Sequence, residues 1–324
     1  MTIPVKIVGT GLYAPPRVET AAELAPRIHR SERWILTRAG VARRHVAEEP
    51  IEQMAAKAAR LALGRDGPPD LLIYAATTPR QMIPDTSVFV ARELGLSDVT
   101  TFSLHSTCLS FLPALQLAAA GIATGLYRRV LIVSAEIGTI ARDFREPESA
   151  ALLGDGAGAA VVEATPPGES SALLGISLAT YPDGAELTQM RGAGMNRHPL
   201  DSATTREDYL FTMDGPAVYR MARPLLVKHV QAALEQAGLE NPQQIDVVVP
   251  HQASGRALEA IAAFFKLDPE RVVNIIGEYG NCVAASLPMA LAQADHDGRI
   301  ERGRLVLLGG TGAGLAAGVI VLRW

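Results

Sequence analysis

The sequence is poor in cysteine and has no excess of positive charge. Its only two cysteines, Cys108 and Cys282, cannot build a disulfide framework in a chain of 324 residues, and their spacing fits no zinc pattern. Lysine plus arginine numbers 30 against 34 for aspartate plus glutamate, so no net basic field points to a nucleic acid. Because so few cysteines suit a reducing compartment, we expect a cytoplasmic protein without a bound metal.

Long hydrophobic runs are also missing. The opening stretch, MTIPVKIVGTGLYAPP, carries one lysine and then a strand-like run that is too short for a signal peptide core or a membrane span. Hydrophobic residues make up 48% of the chain and charged residues 20%, which is typical of a folded globular protein. We therefore predict a soluble protein that can bury a substantial core in one large α/β unit or two domains.

The chain does contain a pattern of strand-like and helix-like segments that occurs twice. The corresponding pairs are LLIYAATTP and DVVVPHQAS, VTTFSLHSTCLSFLPALQLAAA and RVVNIIGEYGNCVAASLPMALAQA, RVLIVSA and RLVLLGG, and GAAVVEA and GVIVLRW. Continuously apolar runs are typical of strands that are covered on both faces. The sequence thus predicts two duplicated β/α halves, residues 1–170 and 171–324, each with a sheet covered by helices.

Cys108 lies where a strand-like run leads into an apolar helix. A sulfur at a helix N-terminus faces unpaired backbone N–H groups and the positive end of the helix dipole, which favours the thiolate. Ser106 and Thr107, just ahead of it, are suited to cap the helix. The alternative is a small buried hydrophobic residue without a chemical role. This stretch alone leaves both interpretations open.

Two further polar residues stand at a strand end and at a helix start. His251 follows the apolar run IDVVVP, and Asn281 precedes a helix rich in small residues; α/β sheets present functional groups at such places. A satisfied core histidine and a plain helix cap are the alternatives. Together with Cys108 they match one chemistry. A cysteine can take an acyl group from a thioester, and imidazole and amide groups can stabilise an enolate formed by decarboxylation.

At these residues the sequence resembles the β-ketoacyl-ACP synthase III family of the thiolase superfamily. Six resembling stretches follow in the family's order almost from end to end. They are ERWILTRAGVARRHVA, the Cys108 segment, LLGDGAGAAVV, VVVPHQASGRAL, GEYGNCVAASLPMAL and GAGLAAGVIVLRW. The resemblance implies a five-layered αβαβα thiolase-like fold, a homodimer, and coenzyme A thioesters as substrates with no permanently bound cofactor.

The resemblance also implies roles for individual residues. Cys108 would be the acylated nucleophile, His251 and Asn281 would complete the catalytic triad, and the backbone amides of Cys108 and Ala313 would form the oxyanion hole. The implied binding residues are Trp34, Arg38 and Ser254 for coenzyme A, Arg256 for docking an acyl carrier protein, and Met82, Ile83, Leu109 and Phe211 for the acyl pocket.

The sequence departs from the family's pattern beside these residues. Leu109 and Ser110 follow the cysteine where family members commonly have Ala-Gly, which changes the volume beside the acyl thioester. Ala313 stands within a usual Gly-Gly-Gly run. Pro216 and Ser254 replace asparagines that often contact the pantetheine arm.

The implied reaction is a decarboxylative Claisen condensation. An acyl-CoA would load Cys108, and malonyl carried by an acyl carrier protein would condense with it, in fatty acid or polyketide synthesis. One alternative is an acyltransferase that moves the acyl group to an oxygen or nitrogen nucleophile, although Asn281 suits an enolate better. Condensation of two acyl-CoAs without decarboxylation lacks an apparent glutamate base beside Cys108. A catalytically silent subunit of a synthase conflicts with the presence of both Cys108 and His251.

Overall fold

The computed structural model describes residues 2–324, which form a mixed α/β fold. The strands are β1 (Val5–Tyr13), β2 (Val18–Thr20), β3 (Arg43–His45), β4 (Leu71–Ala75), β5 (Thr100–Leu104), β6 (Arg129–Ile137), β7 (Asp155–Ala164), β8 (Ala172–Thr180), β9 (Thr188–Gln189), β10 (Thr212–Met213), β11 (Val247–Pro250), β12 (Leu305–Gly312) and β13 (Ala316–Arg323). The α-helices are α1 (Ala21–Leu24), α2 (Glu32–Arg38), α3 (Ile51–Leu63), α4 (Thr86–Leu94), α5 (Phe111–Ala123), α6 (Pro147–Ala150), α7 (Gly215–Gln236), α8 (Gly255–Phe264), α9 (Ile276–Tyr279) and α10 (Ser286–His296). Short 3₁₀ turns include Thr107–Leu109 and Val283–Ala285. None of the helices in this part of the chain has the length and apolar character needed to cross a membrane.

Four strands of the five-stranded first sheet repeat the topology of the four-stranded second sheet. The first has the order β1-β7-β6-β4-β5, and the second, read from the matching edge, has the order β8-β13-β12-β11. β4 pairs with β6 in the first sheet and β11 pairs with β12 in the second, and both pairs are parallel. The remaining pairs of this shared order are antiparallel: β6 with β7 and β7 with β1 in the first sheet, and β12 with β13 and β13 with β8 in the second. The repeated pattern in the sequence is therefore a repeated topology, with β4, β6 and β7 matching β11, β12 and β13.

Helices and sheets stack in five layers. α3 and α4 pack on the outer face of the first sheet, α5 and α10 lie between the two sheets, and α7 and α8 cover the outer face of the second. In α10, 8 of 11 residues are buried, as expected for a helix that is covered on all sides. This is the αβαβα arrangement expected from the sequence. It places the starts of α5 and α10 near each other at the centre of the molecule.

A buried cluster of charges joins the N-terminal segment to the chain before β7. Arg142 and Arg27 each donate to the carboxylate of Glu19, and the Arg44 Nε lies 3.7 Å from the same carboxylate. Arg44 is fully buried, and its Nη1 also donates to three backbone carbonyls within residues 150–153. Burial lowers the pKa of Arg44 to about 10. The cluster thus fixes the segment that leads into β7.

Replacing Glu19 with alanine is expected to lower the free energy of unfolding by about 3–5 kcal/mol, because two buried guanidinium groups lose a shared carboxylate. Denaturant titration measures this change. Glu48→Ala is the matched control, since Glu48 pairs with Arg17 on the exposed surface, where a pair contributes about 1 kcal/mol or less. Equal losses in the two variants would contradict the prediction.

Candidate active site

Cys108, His251 and Asn281 line one cavity of about 260 Å³, here called the site cavity. The residues come from three separate places: the turn between β5 and α5, the end of β11, and the turn before α10. The structure therefore brings together the three polar residues that the sequence placed at strand ends and helix starts. Ala313, just after β12, lines the same cavity.

A tight turn presents Cys108 to the cavity. Thr107 adopts a φ of 48°, in the left-handed region that a β-branched residue rarely occupies. Val283, in the turn before α10, adopts almost the same φ of 47°. The segments that precede α5 and α10 thus contain a turn of similar, strained conformation. The turn before α5 carries Cys108, and the turn before α10 lies directly after Asn281 and Cys282.

The expectation that Ser106 or Thr107 caps the helix is wrong. The Ser106 side chain makes no capping hydrogen bond. The hydroxyl of Ser110 accepts the Ser106 N–H at 2.9 Å and donates to the Thr107 carbonyl at 2.7 Å. The Thr107 hydroxyl donates instead to the Ala313 carbonyl at 2.9 Å, which ties the cysteine turn to the end of β12. Ser110 thus stabilises the turn that carries Cys108, while Ser286, at the start of α10, donates to the Asn281 Oδ1.

The thiol of Cys108 is harder to ionise than its position at a helix start suggests. Burial raises the pKa of the Cys108 thiol to about 11, while the backbone N–H groups of Ala313 and of Cys108 itself act in the opposite direction. The predicted preference for the thiolate is therefore wrong, because loss of solvation outweighs the backbone dipoles. At neutral pH the sulfur holds its proton, so an acyl transfer to it needs a proton acceptor.

Two backbone N–H groups that face the sulfur belong to Cys108 and Ala313. Ala313 is not among the residues with positive φ, so alanine is accommodated in a run where the family usually has glycine. Gly312 must remain small, since a Cβ there would lie 2.9 Å from the Thr107 Oγ1 and 3.4 Å from the Cys108 Cβ. This arrangement can stabilise a negative charge that develops beside the sulfur.

His251 is buried and neutral at pH 7. Burial lowers the pKa of His251 to about 4, so one ring nitrogen donates and the other accepts. Within residues 2–324 the Nδ1 atom has no hydrogen-bond partner. The next residue, Gln252, fixes the loop through three hydrogen bonds of its buried amide to backbone groups. Gly310 on β12 lies against the start of the His251 side chain, since a Cβ on Gly310 would come within 2.7 Å of the His251 Cβ.

Asn281 is oriented as a hydrogen-bond donor. Its Oδ1 accepts the Val283 N–H at 2.8 Å and the Ser286 hydroxyl at 3.4 Å, and its Nδ2 donates to the Ala253 carbonyl at 3.3 Å. The second hydrogen of Nδ2 remains for an acceptor in the site cavity. The capping role considered for Asn281 is wrong, because the 3₁₀ turn begins after Cys282 and α10 begins after Ala285, and no side chain caps either of them. Ser286, which the sequence analysis did not name, is a positioning residue that the repeat could have identified.

The residues expected to bind coenzyme A lie around the junction of α2 and α8. The Arg256 Nε donates to the Thr37 carbonyl at 3.2 Å, which holds the start of α8 against the end of α2. Trp34 and Arg38 are carried by α2, and Ser254 lines the site cavity. The end of α2 thus meets the start of α8 next to Ser254. Arg38 is exposed, and so is Arg256, the residue expected to dock a carrier protein.

The residues expected to line the acyl pocket are separated in the structure. Phe211 lines the site cavity, and Leu109 is buried but does not reach its wall. Met82 and Ile83 are 73% and 85% exposed, so the chain itself does not bring them to Cys108. The apolar wall near Cys108 also includes four residues that sequence reasoning missed. They are Leu152, Leu153, Met213 and Leu315.

Family models and individual proteins both match this chain. The family described as 3-Oxoacyl-[acyl-carrier-protein (ACP)] synthase III matches residues 102–182, and its C-terminal part matches residues 234–324. Proteins named Beta-ketoacyl-[acyl-carrier-protein] synthase III from Bradyrhizobium diazoefficiens and Methylococcus capsulatus are each 36% identical over 98% of both sequences.

Solved structures show the same similarity. The 3-oxoacyl-(acyl carrier protein) synthase III of Pseudomonas aeruginosa PAO1 is 33% identical with a TM-score of 0.89, over 99% of this chain and 98% of that one. The priming β-ketosynthase from the R1128 polyketide biosynthetic pathway is 31% identical with a TM-score of 0.89, over 98% and 96% of the two chains.

Proposed function

Because the chain belongs to the β-ketoacyl-ACP synthase III family, we propose that it catalyses a decarboxylative condensation of an acyl-CoA with a malonyl group on an acyl carrier protein. The observation that carries this proposal is the shared cavity of Cys108, His251 and Asn281. Two backbone N–H groups beside the sulfur support it further. The thiolase-like fold and the similarity to a priming β-ketosynthase fit a role in fatty acid or polyketide synthesis.

In the first step the sulfur of Cys108 attacks the thioester carbonyl of the acyl-CoA. The thiol proton passes to the neutral imidazole of His251 as the carbon–sulfur bond forms, because the thiol does not ionise by itself at neutral pH. The N–H groups of Cys108 and Ala313 stabilise the oxyanion of the tetrahedral intermediate. Coenzyme A then leaves as a thiol with that proton, and the acyl group stays on Cys108.

In the second step the malonyl thioester loses carbon dioxide. The electron pair of the broken carbon–carbon bond forms an enolate, whose oxygen accepts hydrogen bonds from His251 and from the Asn281 Nδ2. The enolate carbon attacks the acyl carbonyl carbon on Cys108. The carbon–sulfur bond breaks, the thiolate of Cys108 is released, and the 3-oxoacyl product remains on the carrier protein.

The proposal also assigns residues to the binding of coenzyme A and of the acyl carrier protein. We assign Trp34 and Arg38 to the adenine end of coenzyme A and Ser254 to its pantetheine arm, since α2 and the start of α8 meet at one side of the cavity. Arg256 is exposed beside them, where a cation can contact an acidic carrier protein.

The test is an assay with acyl-CoA, malonyl-loaded acyl carrier protein and the purified enzyme. The mass of the carrier protein should change by loss of carbon dioxide and gain of the acyl group. Transfer of the acyl group to an oxygen or nitrogen acceptor without a new carbon–carbon bond would instead support the acyltransferase alternative. A protein that neither acylates nor decarboxylates would support the silent subunit.

We further propose that residues 1–170 and 171–324 are duplicated halves, because the order of strands and helices occurs twice.

We also propose that two copies of the chain form a homodimer through β5. β5 is an edge strand of the first sheet, and Phe102 on it is 36% exposed. An open edge with an apolar side chain is a template for pairing with another strand. Pairing with the same strand of a second copy gives a self-complementary interface.

Phe102→Asp is expected to convert the dimer into monomers, because two like charges would be buried close to the twofold axis. Light scattering coupled to size-exclusion chromatography measures the mass. Leu126→Asp is the matched control, since Leu126 is 70% exposed after the end of α5 and lies outside β5. A native protein that is monomeric, or a dimer that tolerates Phe102→Asp, would rule out this interface.

A further inference from the structure

A second cavity of about 440 Å³ lies between α7 and α8 and adjoins the site cavity. Six residues line both cavities. These residues are Tyr219, Ala222, His251, Ala253, Ala257 and Thr311. Four of the six are alanine or threonine, so the wall between the cavities is built mostly from small side chains. A group bound at His251 can therefore extend from one cavity into the other.

The interior of the second cavity is apolar. Its deeper walls come from α7, α8 and the chain just after α8. The residues are Leu226, Val227, Ala260, Ile261 and Phe265. Among the described residues that line the second cavity, Arg223 alone carries a charge. The Arg223 side chain is exposed, and its guanidinium lies 5.0 Å from the centroid of the Phe264 ring. A cavity of this kind fits an aliphatic chain and not a phosphate or a carboxylate.

The positions of Cys108 and His251 indicate which of the two substrates carries the aliphatic group that the second cavity would bind. Cys108 lines the site cavity only, together with Phe211 and Leu153, whereas His251 lines both cavities. The acyl group on Cys108 thus has an apolar wall of its own. In the function proposed above, His251 holds the thioester carbonyl of the second substrate, and the carbon next to that carbonyl is C2 of the malonyl group.

We propose that the second cavity binds an aliphatic substituent at C2 of the malonyl thioester, so that the enzyme condenses 2-alkylmalonyl units. This inference rests on the proposed function. Carbon dioxide leaves C2, the resulting enolate forms a bond from C2 to the acyl carbonyl carbon, and the carbon–sulfur bond at Cys108 breaks to the thiolate. The product is a 2-alkyl-3-oxoacyl thioester, and no oxidant or reductant is required.

The test fills the second cavity without touching the site cavity. Ala260→Phe places a ring in the second cavity, and Glu259→Phe places the same ring on an exposed position of the same helix. With acetylated enzyme, Ala260→Phe should lower kcat/KM for 2-hexylmalonyl-pantetheine by about tenfold or more and change kcat/KM for malonyl-pantetheine by less than about twofold. Glu259→Phe should behave as the unchanged enzyme with both substrates.

Three results would overturn the proposal. One is a native enzyme that condenses malonyl-pantetheine but not the 2-hexyl compound. Another is a loss in Ala260→Phe that is equal for both substrates. The third is a loss that depends on the chain length of the priming acyl-CoA, since the cavity would then hold the group on Cys108.

A binding measurement separates this inference from the proposed function. Titration calorimetry on Cys108→Ala protein uses amide analogues of malonyl-pantetheine and 2-hexylmalonyl-pantetheine, which need no condensation. Adding Ala260→Phe should weaken only the 2-hexyl analogue, by about tenfold. Failure of condensation with this binding pattern intact would contradict the proposed reaction alone. Equal binding of the 2-hexyl analogue with and without Ala260→Phe would contradict the cavity assignment alone.

Discussion

Protein with Cys108→Ala should gain no mass from any acyl-CoA, while the unchanged protein gains the mass of one acyl group. The reason is that Cys108 is the cysteine in the site cavity, with two backbone N–H groups facing its sulfur. Condensation should fall by at least about 10⁴-fold, as expected when a covalent nucleophile is removed. Intact mass spectrometry after incubation with a panel of acyl-CoAs measures the adduct.

Cys282→Ala is the matched control for this experiment. Cys282 is 1% exposed, and burial raises the pKa of its thiol well above the ordinary value. It does not line the site cavity, so its removal should leave the adduct in place. An adduct that survives Cys108→Ala, or that disappears in Cys282→Ala with the fold intact, would contradict the assignment. The panel also identifies which acyl groups the cavity accepts.

Asn281→Ala should slow malonyl decarboxylation by about 10²–10³-fold, which is the usual cost of removing one oxyanion donor. His251→Ala should have a similar effect on this step. Acylation of Cys108 should be affected much less by Asn281→Ala, because the Asn281 Nδ2 is proposed to act on the enolate of the second substrate. Release of carbon dioxide from malonyl-pantetheine and the rate of mass gain from acyl-CoA measure the two steps separately.

Asn274→Ala provides the control for the asparagine. The Asn274 Oδ1 accepts the Ile276 N–H at 3.2 Å in a nearby segment and does not line the site cavity. Decarboxylation should therefore remain near the native rate in this variant. If Asn281→Ala slowed acylation and decarboxylation equally, the residue would have to be reassigned to a general structural role.

The architecture could be predicted from the sequence. The apolar runs predict strands that are buried on both faces, and each run can be read from its own segment. The order of these segments occurs twice along the chain. The repeat therefore predicted both the matching sheets and the two central helices. It also predicted that Cys108, His251 and Asn281 meet, since equivalent strand ends and helix starts come to the same edge of the structure.

Protonation and hydrogen bonding at Cys108 could not be predicted in the same way. The position of Cys108 at a helix start predicts a thiolate, but burial in the folded protein raises the pKa of the Cys108 thiol to about 11. The Ser110 hydroxyl donates to the Thr107 carbonyl, and the Thr107 hydroxyl donates to the Ala313 carbonyl, 206 positions further along the chain. Desolvation and such long-range bonds depend on which surfaces pack together, which no local pattern encodes.

The sequence by itself thus determined the fold, the family and the three polar residues of the site, because these depend on residue type and spacing. Only the tertiary structure decided the shape of the space around them. The walls of the site cavity come from segments as far apart as Leu152, Phe211 and Leu315, and Met82 and Ile83 lie elsewhere on the surface. The wall between the two cavities consists mostly of small side chains from separate elements. The volume of a side chain determines the shape of a cavity only after the elements have packed together.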